Sequence, residues 1–169
     1  ITGANRGIGL ELARAYSDRG CLVVGVCRQS SPELAEVAEK VVDDIDVTHA
    51  DGIARLVDAL SELGSIDLLI NNAGLLQDEQ LGSIDYDSIR IQMEVNAYGP
   101  LRVAEALLPF IHEGGKIVNI TSRMGSIADN TSGGRYGYRA SKAALNAFGK
   151  SLAMDLKPKG IAVAQLHPG

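Results

Sequence analysis

Five short apolar, β-branched runs punctuate this chain: "CLVVGVC" (21–27), "VVDDIDV" (41–47), "IDLLINNAG" (66–74), "GKIVNIT" (115–121) and "GIAVAQL" (160–166). They are brief and nearly continuous, as strands covered on both faces are. Between them, apolar residues recur at helical spacing over residues 9–19, 32–39, 51–63, 87–110 and 138–156, with a break expected near Gly99 and Pro100. A helix between successive strands returns the chain to the same end of the sheet, so the strands pair in parallel. The expected fold is α/β: a Rossmann-type doubly wound parallel sheet with helices on both faces. No repeat, low-complexity segment or linker interrupts the pattern, so residues 1–169 read as one domain. The opening at Ile1, almost on top of a glycine motif, and the stop at the turn "HPG" read as the cut ends of a longer protein.

Composition narrows the function classes. The chain has 169 residues, 46% of them hydrophobic, and a net charge of −5. That supports a real core and gives no basic stripe for nucleic acid. No apolar run reaches the roughly 18 residues of a membrane span. Cys21 and Cys27 lie in one apolar run and are expected to face a core, as small hydrophobes in a reducing, cytoplasmic compartment. No Cys/His/carboxylate spacing suggests a metal. The acids of "DEQ" (78–80) read as part of an exposed loop.

"TGANRGIG" (2–9) places Gly3, Gly7 and Gly9 before a helix, with Asn5, Arg6 and Ile8 between them. Glycines allow a sharp turn and close approach of backbone N–H groups to a pyrophosphate, and the following helix adds its positive end. An ordinary glycine-rich turn would look the same. Two arginines sharpen the reading. An NAD site usually carries an acid after the second strand, but Arg28 stands there and Arg6 lies in the glycine loop. Planar guanidinium groups suit a 2′-phosphate, which favours NADP(H) over NAD(H). Asp46, beside Val47, is placed to accept from an adenine amino group. Asn72, Ala73 and Gly74 of "NNAG" are small enough for a ribose to lie against backbone.

In "RYGYRASKAAL" (135–145), Tyr138 and Lys142 are four apart and share a helix face, about 6 Å along the axis. Tyr136, six before the lysine, falls on a different face. A phenol ionises near pH ~10 in water, and a neighbouring ammonium favours the phenolate. Tyr138 is therefore a candidate proton donor and acceptor, with Lys142 as its tuner. By itself, such a pair is as readily a packed ring and a solvated amine.

These pieces, with "DV" (46–47), Asn96 in "EVNAYG", "VNITSRMG", "YRASK" and "HPG", resemble the short-chain dehydrogenase/reductase family in its single-domain branch. They occur in the family's order over nearly the whole chain. The look is nearest to carbonyl reductases of the C-factor and sniffer type. The resemblance implies hydride transfer between a nicotinamide and a small carbonyl or alcohol. Tyr138 passes the proton, Lys142 also holds the nicotinamide ribose, and Ser122 hydrogen-bonds the substrate oxygen, with Ser126 as the fallback. Asn96 sits at a helix irregularity and holds a water that links Lys142 to solvent. Pro168 and Gly169 border the cofactor.

There are departures from the family pattern. Thr121 replaces a serine, a polar insert lies within 128–135, and the strand and substrate loop that usually follow the Pro-Gly turn are not in this sequence. A cofactor-binding signalling or scaffold protein with little turnover is the competing reading, and a sugar-nucleotide epimerase a more distant one. The long helix after Asn96 and the face bearing Ala140, Ala143, Ala144 and Ala147 suit a homodimer.

Overall fold

A computed structural model describes all residues, 1–169. The helices are α1 (Gly7–Ser17), α2 (Pro32–Val37), α3 (Ala50–Leu60), α4 (Tyr86–Met93), α5 (Gly99–Leu107) and α6 (Tyr136–Leu156). The strands are β1 (Val24–Val26), β2 (Lys40–Val42), β3 (Ile66–Asn71), β4 (Ile111–Ile120) and β5 (Ala162–Leu166). All pairing is parallel, β1 with β2, and β3 with β4 with β5.

The first residues join the two groups of strands. Val26 N–H donates to the Ile1 carbonyl (2.9 Å) and Thr2 N–H to the Ile70 carbonyl (3.0 Å). The order is therefore β2, β1, residues 1–4, β3, β4, β5. Strand order reverses at the opening segment, which is the place where doubly wound sheets bind ligands.

Helices cover both faces. Leu56, Leu107 and Ile117, each at most 2% exposed, centre a core shared by α3, α5, α6 and one sheet face. Ala4, Leu10, Ala13, Cys27 and Leu34 build a second core under α1 and α2. Val26 belongs to the first core and Cys27 to the second, because successive side chains along a strand point to opposite faces. Each fully buried Leu or Ile contributes about 1.5–3 kcal/mol.

Two expectations from the sequence need correction. Residues 21–23 precede β1, so Cys21 and Leu22 are exposed while Val23 and Cys27 are buried. β2 ends at Val42, where the chain turns through a left-handed Asp44 (φ 54°) before Ile45 and Val47 return to the core. The break expected near Gly99 and Pro100 is present as a π-helical turn, Glu94–Tyr98, which ends at Gly99 and carries Asn96. The proline explains the position: Pro100 has no N–H to give the Asn96 carbonyl four residues back.

Candidate active site

A cleft of about 860 Å³ runs over the C-terminal ends of β1 and β3, from Arg28 and Asp46 past the glycine loop to Gly74 and Leu75. Gly3 (φ 63°) and Gly7 (φ 56°) take the left-handed conformation that the turn requires, and a Cβ on Gly7 would meet nothing. A Cβ on Gly9 would run into the Gly3 carbonyl and the Asn72 amide. Asn72 Nδ2 donates to the carbonyls of Thr2 and Gly3 (both 3.0 Å), so that side chain clamps the loop.

No side chain caps α1, whose first turn also lines the cleft with Gly7 and Ile8. Its free N–H groups and dipole suit an anion. Arg6 and Arg28 are exposed along the same cleft, as is Asn5 in part. Neither arginine forms an ion pair, whereas Arg123 and Arg135 bind Asp129 and Asp78. Asp46 Oδ1 accepts from the Thr48 N–H (2.9 Å) and hydroxyl (2.7 Å). Burial opposes its charge, but those bonds, with His49 and Arg28 nearby, outweigh it and hold the carboxyl below the usual carboxylate range. These features fit an adenine dinucleotide bearing an extra phosphate.

At the far end of the cleft, Lys142 Nζ would lie 3.8 Å from a Cβ on Gly74. The ammonium donates to the Ile120 carbonyl at the end of β4 (2.8 Å) and stands 5.8 Å from the Tyr138 ring centre. Lys142 is 4% exposed, and burial pulls its pKa down to about 8. Tyr138 is half-buried, while Tyr136 is exposed on another face and lines a separate depression with Leu81 and Arg135. The two tyrosines divide as helical geometry requires.

Ser122 follows β4 closely, and the turn Arg123–Gly125 packs on α6 so tightly that a Cβ on Gly125 would meet the Lys142 carbonyl. Ser122 Oγ accepts from the Met124 N–H (3.1 Å), which leaves its own proton free to be donated. Ser126 is exposed. Asn96 is fully buried in the π-helical turn. Its Oδ1 accepts from Leu75 N–H (2.7 Å), and its Nδ2 donates to the Leu75 carbonyl (2.7 Å) and the Ser141 hydroxyl (3.0 Å). Pro168 and Gly169 lie beyond β5, exposed and outside the lining of the cleft.

The family model for short chain dehydrogenases matches residues 1–169. The chain belongs to the short-chain dehydrogenase family. It is 42% identical to 1-hydroxy-2-glutathionyl-2-methyl-3-butene dehydrogenase of Rhodococcus sp. (strain AD45), over all of this chain and 75% of that protein. A Pseudomonas aeruginosa carbonyl reductase solved in complex with NADP superimposes with a TM-score of 0.88 at 37% identity, covering this whole chain and 77% of the other. The Caenorhabditis elegans protein Sniffer gives 0.91 at 30% identity, over all of this chain and 83% of that one.

In this short-chain dehydrogenase one residue overturns its sequence reading. Glu79, whose stretch "DEQ" reads as an exposed loop, is 2% exposed. Its carboxylate accepts from the Ser88 hydroxyl (2.6 Å), from Gln92 Nε2 and from the Gly137 N–H (3.0 Å). The one signal in the sequence is the stripe Ser88, Gln92, Asn96, spaced by four and therefore on one helix face. No local rule names its partner.

Proposed function

We propose that this protein transfers hydride between NADP(H) and a small carbonyl or alcohol substrate, with Tyr138 as general acid and base. The observation that carries the reading is the Lys142 ammonium, buried between the Tyr138 ring and the Ile120 carbonyl where the dinucleotide cleft ends at Gly74. The cofactor, when bound, supplies the hydride.

This chain's residues do the rest. The first turn of α1 receives the pyrophosphate, and Asp46 with Val47 borders the adenine. Arg6 and Arg28 pair with the 2′-phosphate, which makes NAD(H) the weaker partner. Ala73 and Gly74 lie along the ribose. In reduction the Tyr138 hydroxyl gives its proton to the carbonyl oxygen, and Ser122 Oγ donates a hydrogen bond to that oxygen. The Lys142 ammonium stabilises the negative charge left on the phenol oxygen. With its pKa near 8, Lys142 can return a proton close to neutral pH. A water on the Asn96 main-chain carbonyl, which Pro100 cannot satisfy, completes the path to solvent. The Asn96 side chain is already committed to Leu75 and Ser141.

The Pseudomonas relative binds NADP and the Rhodococcus relative is a dehydrogenase, which supports the reading. A homodimer through α5 and α6 belongs to the same proposal. Tyr98 and Phe148 stack at 6.0 Å with Tyr98 37% exposed, a surface that a two-fold partner would cover; light scattering tests it.

The deciding experiment follows NADPH oxidation over a panel of small ketones and aldehydes, for wild type and Tyr138→Phe. Turnover lost in the variant, with NADPH still bound, is the expected result. NADPH binding without turnover in the wild type would leave a cofactor-binding signalling or scaffold protein. Equal kcat/KM for NADPH and NADH would remove the cofactor assignment.

A further inference from the structure

Alternate residues of the segment after β3 meet one face of the helix that follows. Leu75 bonds Asn96, Gln77 N–H donates to Gln92 Oε1 (2.9 Å), and Glu79 bonds Ser88. The order is reversed, and the spacings match. Two residues of extended chain span about 6.6–7 Å and four helical residues about 6 Å. The result is a polar seam whose far side is α6. Asn96 donates to Ser141, and Glu79 accepts from Gly137. Residues 137 and 141 are one helical turn apart, and each immediately precedes one of the reacting pair, Tyr138 and Lys142.

Glu79 holds the N-terminal end of this seam twice. Its carboxylate takes the Gly137 N–H, and its main-chain carbonyl takes the Arg135 N–H (3.0 Å). Arg135, the residue before α6, has no side-chain cap of its own. The carboxylate is not ion-paired; its charge rests on three donors and on the positive end of a 21-residue helix. The fit is close. A Cβ on Gly137 would stand 2.6 Å from Gln92 Nε2, 2.9 Å from Glu79 Oε1 and 3.0 Å from the Ile89 Cα. That explains the glycine between the two tyrosines.

We infer that Glu79 is a positioning residue for the reaction at Tyr138, one that sets the rotation and height of the first turn of α6 through Ser88, Gln92 and the Gly137 N–H. This rests on the function proposed above. The tether acts before any substrate binds. It fixes where the phenol and the ammonium stand, and touches neither substrate nor cofactor.

The test is a charge-neutral replacement and its repair. In Glu79→Gln the amide offers one acceptor oxygen where two are used. With that oxygen on Gly137, the new NH₂ faces the Gln92 NH₂, donor against donor. The expected result is a fall in kcat on the order of 10–10²-fold, the scale of a small misplacement of reacting groups. KM for NADPH should stay within about twofold, and the Gly137 amide should exchange with solvent about tenfold or more faster. The exchanged pair, Glu79→Gln with Gln92→Glu, restores the donor–acceptor match between positions 79 and 92 and gives up only the longer bond from Gln92 Nε2 to the Ser88 carbonyl (3.3 Å). The amide NH₂ now at position 79 then meets a carboxylate that still accepts from Gln77, so kcat and Gly137 protection should recover together. Ser88→Ala, which removes one donor of three, should show the same pattern at a few-fold scale and remains available if Glu79→Gln folds poorly. The inference falls if Glu79→Gln leaves kcat and Gly137 exchange unchanged, if KM for NADPH rises in step with the loss of kcat, or if the exchanged pair recovers neither. A wild type that reduces no carbonyl would sink the proposed function instead, and Gly137 exchange in the same variants would still decide whether Glu79 holds the helix.

Discussion

Two helices begin at this site, and their first turns are treated in opposite ways. The N-terminus of α1 has no capping side chain, opens on a cleft of about 860 Å³ and has two unpaired arginines beside it. The N-terminus of α6 is filled by a buried glutamate whose carboxylate has three donors. The physics of a helix end is the same in both, with unsatisfied N–H groups and a positive dipole. Left open, it is a place for a ligand's phosphate. Filled from within the protein, it is an anchor. The difference teaches where this molecule leaves polar groups free and where it uses them to hold the start of a helix still.

The largest effect that would test this division is on rate alone. Tyr138→Phe should lower kcat by about 10²–10⁴-fold while the Kd for NADPH, measured by titration, stays near the wild-type value. A parallel loss of cofactor affinity would blur the two ends into one.

Lys142→Met comes next, and it should stabilise the protein while abolishing turnover. The folded lysine gives up its proton near pH 8, whereas the unfolded one keeps it to about 10.5. Between those values the unfolded state binds more protons, so wild-type stability rises with pH. Below about pH 8 the buried charge costs its full penalty. Replacing it with Met should add about 1–3 kcal/mol at pH 7, less the lost bond to the Ile120 carbonyl. The rise between pH 8 and 10.5 should also flatten in denaturant titrations. A destabilised Lys142→Met at pH 7 would mean that the Ile120 bond outweighs burial.

At the open helix, Arg28→Ala should weaken NADPH by about 10–100-fold, the scale of one charge-assisted contact. NADH binding and Tm should be nearly unchanged, because Arg28 has no ion-pair partner to lose. A fall in Tm would show that it supports the fold.

Glycine substitutions sharpen the contrast on a smaller scale. Gly137→Ala forces a Cβ against Glu79, Gln92 and the Ile89 backbone, and should cost about 1–3 kcal/mol of stability. Gly7→Ala meets open space and should cost only the strain of a left-handed alanine, about 1–2 kcal/mol, with its main effect on NADPH affinity. Smallest of all, Tyr136→Phe should leave rate and stability within measurement, since that ring is exposed on another face.

Much of this site is legible from local spacing. Gly3, Gly7 and Gly9 announce the loop because only glycine tolerates those turns and close approaches. Tyr138 and Lys142 announce a shared face because four residues make about one helical turn. Arg28 is readable because it stands one strand-end away from the loop in a fold whose alternation is plain. The errors are equally physical. Cys21 and Leu22 sit in an apolar run that begins before its strand, since hydrophobicity does not mark the residue at which pairing starts. The helix break near Gly99 and Pro100, by contrast, is legible, because a missing proline N–H frees the carbonyl one turn earlier, at Asn96.

Glu79 shows where local reading stops. Nothing adjacent to it in the chain predicts burial, and a charged residue in a polar loop is ordinarily solvated. Its three donors come from Ser88, Gln92 and Gly137, the last 58 residues away. By itself, the sequence determined the parallel α/β architecture, the glycine loop, the two arginines and the tyrosine–lysine pair, because each is set by periodicity or by the allowed geometry of a few neighbouring residues. Tertiary structure alone decided which helix end stays open and which is filled. That choice depends on bringing a carboxylate from one loop to the start of a distant helix, where three hydrogen bonds offset the cost of burying its charge.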